Sequence, residues 1–167
     1  MPHRSPYRRR VALLLWLGAA FIAGGIGALA TRDAPAFYAQ LVQPAWAPPA
    51  GVFGPVWSVL YALMGVAAWL IWQAPRGRAW PLMLFVAQLA LNALWSWLFF
   101  AWHAGAAAFA EVILLLVLIA ATVLAFARVS RAAAALLLPY LAWVGFASAL
   151  TWALWRANPA LLGALPG

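Results

Sequence analysis

Cysteine and lysine are absent from the 167 residues. The first absence excludes disulfides, thiolate metal sites and cysteine nucleophiles. The only acids are Asp33 and Glu111, and the only histidines are His3 and His103. Paired carboxylates and multi-ligand metal sites lack raw material, so no metal site and no required cofactor are expected. Charged residues make up 7% of the chain, against roughly a quarter in a soluble domain. A soluble enzyme, a disordered tail and a conventional nucleic-acid binder are excluded. The sequence pI near 11.6 rests on ten arginines that form no stripe, so nucleic acid is not an expected partner.

What is present is apolar and aromatic. Hydrophobic residues make up 69%, with 12 Trp, 9 Phe and 4 Tyr. The length suits one domain. A membrane-spanning helix needs about 20 apolar residues, and five segments qualify: 11–30, 52–73, 80–102, 104–127 and 132–155. Backbone groups in lipid must bond within their own segment, so these runs predict helices. The expected fold class is an all-α integral membrane protein, a five-transmembrane-helix bundle over 11–156. A basic tail (1–10) and a short C-terminal tail (157–167) flank it. Arg8-Arg9-Arg10 followed by an apolar run and Ala28-Leu29-Ala30 also has the outline of a cleavable signal peptide. The run is longer than usual for one, so a retained helix is expected.

The arginines orient the bundle. Arg4, Arg8, Arg9, Arg10, Arg76, Arg78, Arg128 and Arg131 fall on one side, and Arg32 and Arg156 on the other. This places the N-terminus in the cytoplasm and the C-terminus opposite. Membrane lipid is therefore a partner. Three connections are only a few residues long, so helices two to five are expected to be antiparallel neighbours. The first connection, 31–51, is long, and long loops are often functional. Asp33 or Ala34 should cap a short helix with Pro35 in its first turn, ending near Val42. Pro44, Pro48 and Pro49 then force an extended path. This loop is expected to act as a lid.

Gln88, Asn92, Trp95 and Phe99 are spaced by 4, 3 and 4 and share one face of the third span. Mid-span amides are costly toward lipid and should face the bundle, bonding between helices or contacting a guest. Trp57 and Tyr61 lie one turn apart. Tyr140, Trp143, Ala147 and Leu150 share a face of the last span, where small Ala147 leaves room for a flat molecule. Aromatic walls with a few polar groups suit a planar apolar ligand, and porphyrins fit that description. Trp16, Trp69, Trp72, Trp80, Trp102 and Trp155 read instead as interface anchors. Glu111 lies about 10 Å into its span. It reads as structural or snorkelling, with ligand or proton coupling as the alternative. His103 reads as a wet loop residue. Gly18, Ala19, Ala23, Gly24 and Gly27 let helices approach closely, within one chain or across a homodimer.

Four blocks carry a resemblance: Phe37-Tyr38 with Pro44-Ala45-Trp46-Ala47-Pro48-Pro49; Phe53-Gly54-Pro55-Val56-Trp57 through Tyr61; Gln88-Leu89-Ala90-Leu91-Asn92 through Ser96 with Phe99-Phe100; and Pro139-Tyr140-Leu141-Ala142-Trp143 with Phe146-Ala147. In combination and order they resemble the TspO/translocator protein family of tryptophan-rich sensory proteins, once called peripheral benzodiazepine receptors. The resemblance spans about residues 11–156. Phe37, Gln43 and Thr151 stand where the family often has Trp, Lys and Asn.

The resemblance implies a membrane receptor or carrier for tetrapyrroles such as protoporphyrin IX, located in a bacterial cell membrane. It implies a ligand site built from Phe37, Tyr38, Trp46, Phe53, Trp57, Tyr61, Gln88, Asn92, Trp95, Phe99, Tyr140, Trp143, Ala147 and Leu150. Some bacterial members are implied to break down porphyrin with light and oxygen, and Trp57 and Trp143 match the tryptophans credited with that catalytic chemistry. A proton-coupled exporter using Glu111 is a third reading. Sterol is the partner it carries least, since Trp152 stands where the animal pattern near Arg156 has Tyr.

Overall fold

The computed structural model describes residues 5–163. The chain forms α1 (Pro6–Ala30), α2 (Ala34–Gln40), α3 (Phe53–Gln73), α4 (Ala79–Ser96), α5 (Gly105–Ala127), α6 (Arg131–Ala157) and the single turn α7 (Pro159–Leu162). A 3₁₀ turn, Ala50–Val52, leads into α3, and a π turn, Trp97–Ala101, continues α4. Five helical stretches are long and apolar enough to cross a membrane. The protein is an all-helical integral membrane protein.

Helix ends differ from the hydropathy boundaries for local reasons. α1 begins inside the expected basic tail, because the Ser5 hydroxyl accepts from the Arg8 backbone N–H and Pro6 sits at the first helical position. Arg8, Arg9 and Arg10 therefore extend the helix beyond its apolar part. Residues 1–4 of that tail, with His3 and Arg4, lie outside the described residues. α2 stops at Gln40, short of Val42, and its N-cap Asp33 makes no side-chain cap bond. The expected C-terminal tail contains α7, whose Leu162 is buried.

The spans close into a ring in the order α1, α3, α6, α5, α4, and back to α1. The expectation that helices two to five are sequential neighbours fails at one step. α3 and α4 barely pack against each other, although only five residues join them. A short hairpin fixes direction, not lateral contact, and α1 takes the intervening place. Its small residues permit this. A Cβ on Gly65 of α3 would lie 2.8 Å from the Leu17 Cα of α1, so only glycine allows that crossing. Ala20 and Ala23 are buried on the same helix.

One hydrophobic core fills the ring, around Met64, Phe85, Ile119, Phe126 and Tyr140. A second sits at the end that α2 covers, around Phe37, Tyr38, Phe99, Leu150 and Trp155. Trp155 is thus a core residue and not the expected interface anchor. Its indole donates to the Gly163 carbonyl at 3.0 Å. Trp80 and Trp102 are exposed.

Candidate functional site

Two hydrogen bonds cross the ring interior. The Tyr61 hydroxyl of α3 donates to Asn92 Oδ1 of α4 at 2.7 Å. The Tyr140 hydroxyl of α6 donates to Gln88 Oε1, also of α4, at 2.7 Å. Each joins helices that are not neighbours in the ring. Gln88 and Asn92 lie one turn apart, so α4 meets two tyrosines from two directions. The interhelical reading of both amides is what the geometry shows. Gln88 Nε2 remains without a partner, as do Trp95 Nε1 and both carboxyl oxygens of Glu111. Glu111 is buried, contrary to the snorkelling reading.

The tyrosines are held by packing as well. The Tyr61 ring fills the space that a Cβ on Gly24 would occupy. Trp57 stacks on Tyr61 with centroids 5.4 Å apart and planes 26° apart, and meets Tyr140 edge-on at 6.1 Å.

Two further ring clusters lie toward α2. In the first, Tyr38, Phe53, Trp143, Phe146 and Trp46 follow one another at centroid distances of 5.4–6.0 Å. In the second, Trp95 stacks on Phe99 at 5.5 Å and 13°, and Phe99 meets Phe37 at 6.3 Å. Phe37 also stacks on His103, with centroids 4.1 Å apart. The four tryptophans expected to line one pocket thus fall into three ring clusters. Leu150 is buried in the second core, and Ala147 is half-buried.

A groove of about 560 Å³ opens between α3 and α6, lined by Pro55, Val59, Pro139, Trp143 and Phe146 among others. Pro139 sits inside α6, where it lacks the N–H that would bond the preceding turn. Trp143 and Phe146 belong both to this groove and to the cluster reaching Trp46. Through the Phe146–Trp46 contact, one wall of the groove touches the expected lid.

That lid is tied down. Tyr38 donates to the Pro48 carbonyl at 3.1 Å, and Gln43 Nε2 donates to the Tyr38 carbonyl. Burial raises the Tyr38 pKa above its ordinary 10.0, which keeps the hydroxyl a donor. Asn158, beyond α6, accepts from the Val42 N–H at 2.7 Å and donates to the Val42 carbonyl at 3.0 Å. It also donates to the Leu154 carbonyl at 2.8 Å. Sequence reasoning missed Asn158, and it missed His103 as a ring partner. The only available signal was an Asn-Pro step just past the last span, which marks a helix end and names no partner. Among the described residues, no three metal-ligating side chains come together.

Five spanning helices in a ring, cross-braced by amides and capped by a fastened aromatic loop, define a polytopic helical membrane protein with an aromatic interior. The TspO/MBR family model matches residues 13–156. The chain is 38% identical over 157 residues to the tryptophan-rich protein TspO of Chlorobaculum tepidum, covering 89% of this chain and 97% of that one. It is 41% identical over 126 residues to the translocator protein of Homo sapiens, covering 73% and 75%. It is 37% identical over 145 residues to the tryptophan-rich sensory protein of Cereibacter sphaeroides, covering 87% and 90%. The chain belongs to the TspO/MBR family. Membership supports a membrane receptor or transporter role.

Proposed function

We propose that this protein is a membrane receptor or carrier for porphyrins, with protoporphyrin IX as the model ligand. One observation carries the reading: the α3–α6 groove is walled by Trp143 and Phe146, and Phe146 meets Trp46 of the loop edge-on. A flat apolar macrocycle gains from stacking and burial there. Trp46, half exposed at 51%, is the wall most free to rearrange. The ends carrying most arginines face the cytoplasm of a bacterial cell, which puts the loop on the opposite side.

Titration of the purified protein with protoporphyrin IX in the dark tests this. Saturable quenching of tryptophan fluorescence is expected, weakened in Trp143→Phe and in Trp46→Phe. Quenching that never saturates, or saturates identically in both variants, overturns the site.

A second reading makes the porphyrin a substrate for light- and oxygen-dependent breakdown. The observation favouring it is the Trp57–Tyr61 stack. Trp57 would give one electron to the photoexcited ring, and the ring would pass it to dioxygen. The indole radical cation would take an electron back from the ground-state ring, whose radical cation then combines with superoxide, so that porphyrin plus dioxygen is the whole balance. Loss of the porphyrin absorption bands only under light and air would mark this chemistry.

A further inference from the structure

A second groove, about 680 Å³, lies at the opposite end of the bundle, against the outer side of α1. Arg8, Leu15, Trp16 and Ala19 of α1 share one stripe on it, with Val11 beside them and Trp72 of α3 as the other wall. Trp16 meets Phe85 of α4 edge-on at 5.9 Å, which closes the inner side. The walls are apolar, and the rim is not. Arg8 lines the groove mouth. Arg78 donates to the Trp72 carbonyl at 3.3 Å and to the Ala74 carbonyl at 3.0 Å, capping the end of α3 from which the Trp72 wall projects, while Arg8 is the arginine that lines the groove.

Dimension and charge together select an occupant. Arg8 and Ala19 are eleven residues apart, or about 16 Å of helical rise. That matches one leaflet, about half of the roughly 30 Å hydrocarbon core. The charged end coincides with the side holding eight of the ten arginines. The α3–α6 groove is similarly apolar but has no arginine in its lining, so it offers no matching charge.

We propose that this groove is a binding site for one anionic phospholipid, its phosphate held by Arg8 and one acyl chain laid along Val11, Leu15 and Ala19. The site is independent of the porphyrin reading. Trp16 and Trp72 flank the chain, and a zwitterionic lipid fits the same groove without the net charge that Arg8 recognises.

The test uses the full chain in detergent micelles, mixed with equal amounts of phosphatidylglycerol and phosphatidylcholine of identical chains. Native mass spectrometry reads the bound ratio. The wild type is expected to favour phosphatidylglycerol, and Arg8→Gln to lower that ratio about fivefold, the effect of one arginine near an anionic headgroup. Arg8 is exposed in the first turns of α1, so this variant keeps its fold. Arg8→Lys should restore the preference, and Arg32→Gln at the far end should leave it unchanged. Ala19→Phe keeps every charge but blocks the chain, and should reduce both adducts. An unchanged ratio in Arg8→Gln, or undiminished adducts in Ala19→Phe, overturns the site. So does a dimer that excludes lipid from the wild type, because the occupant is then a second copy.

Discussion

Tyr61 and Asn92 are bonded at 2.7 Å across helices that scarcely pack on each other. The bond therefore acts as a strut and not as an accessory to an existing interface. Gly24 on α1 makes it possible, because any side chain there would occupy the Tyr61 ring's place.

Tyr61→Phe should cost about 1 kcal/mol, in the range measured for hydrogen bonds between membrane helices. Gly24→Ala should cost more, since it moves the ring as well as the hydroxyl. Thermal unfolding in detergent would rank them. A Tyr61→Phe protein as heat-resistant as wild type would mean that stacking on Trp57 alone holds the ring.

Glu111 has two buried oxygens without partners. An ionised carboxylate left unpaired there would cost several kcal/mol. Glu111→Gln keeps the shape and removes the charge, so its heat resistance at pH 8 should equal or exceed that of the wild type. A clear loss would reveal a cation or donor serving the carboxylate. Abolished proton-driven efflux in a stable Gln variant would instead favour the exporter reading.

Asn158→Ala removes both bonds to Val42 and the bond that caps the Leu154 carbonyl in the last turn of α6. Val42 is exposed and its two bonds to Asn158 are part-buried, so their loss should cost about 0.5–1.5 kcal/mol each locally. The Val42 amide should then exchange its hydrogen faster, and a bound porphyrin should leave faster. Equal exchange at Val42 would show that Tyr38 and Gln43 suffice to hold the loop.

Trp57→Phe and Trp143→Phe separate binding from photochemistry. Phenylalanine keeps an aromatic wall but resists oxidation, so affinity should stay within about tenfold, or about 1.4 kcal/mol. Light-driven bleaching should slow far more. Wild-type protein that returns its porphyrin unchanged after illumination in air would remove the enzyme reading and leave the binding one.

A reporter active only in the cytoplasm, fused after Gly167, should be silent. Strong activity would reverse the orientation drawn from the arginines.

The five spans were legible because hydropathy acts on about twenty residues at once. The polar face of α4 was legible because helical spacing put Gln88 and Asn92 together, and mid-span amides have few tolerable positions. Their partners were not, because a 3.6-residue period says which residues share a face and nothing about which helix lies opposite. The ring order was hidden for the same reason: Gly65 and Gly24 mark close approaches without naming Leu17 or Tyr61. Trp155 looked like an interface anchor because position along a span does not distinguish lipid from core. The aromatic blocks could be assigned to their helices, but their division into three clusters depends on how the loop folds back, which Asn158 and Gln43 help to fix.

The amides of α4 also impose an order on biosynthesis. Tyr61 precedes Asn92 in the chain, so that bond has both partners once α4 has been made. Gln88 must wait for Tyr140, 52 residues later, which at ribosomal speeds is roughly 3–10 s. Until then the nascent protein holds an unpaired amide in the bilayer, an incentive for α4 to stay beside other polar surfaces and not drift into lipid. The last span to emerge closes the ring and, through Asn158 just behind it, fastens a loop made 116 residues before.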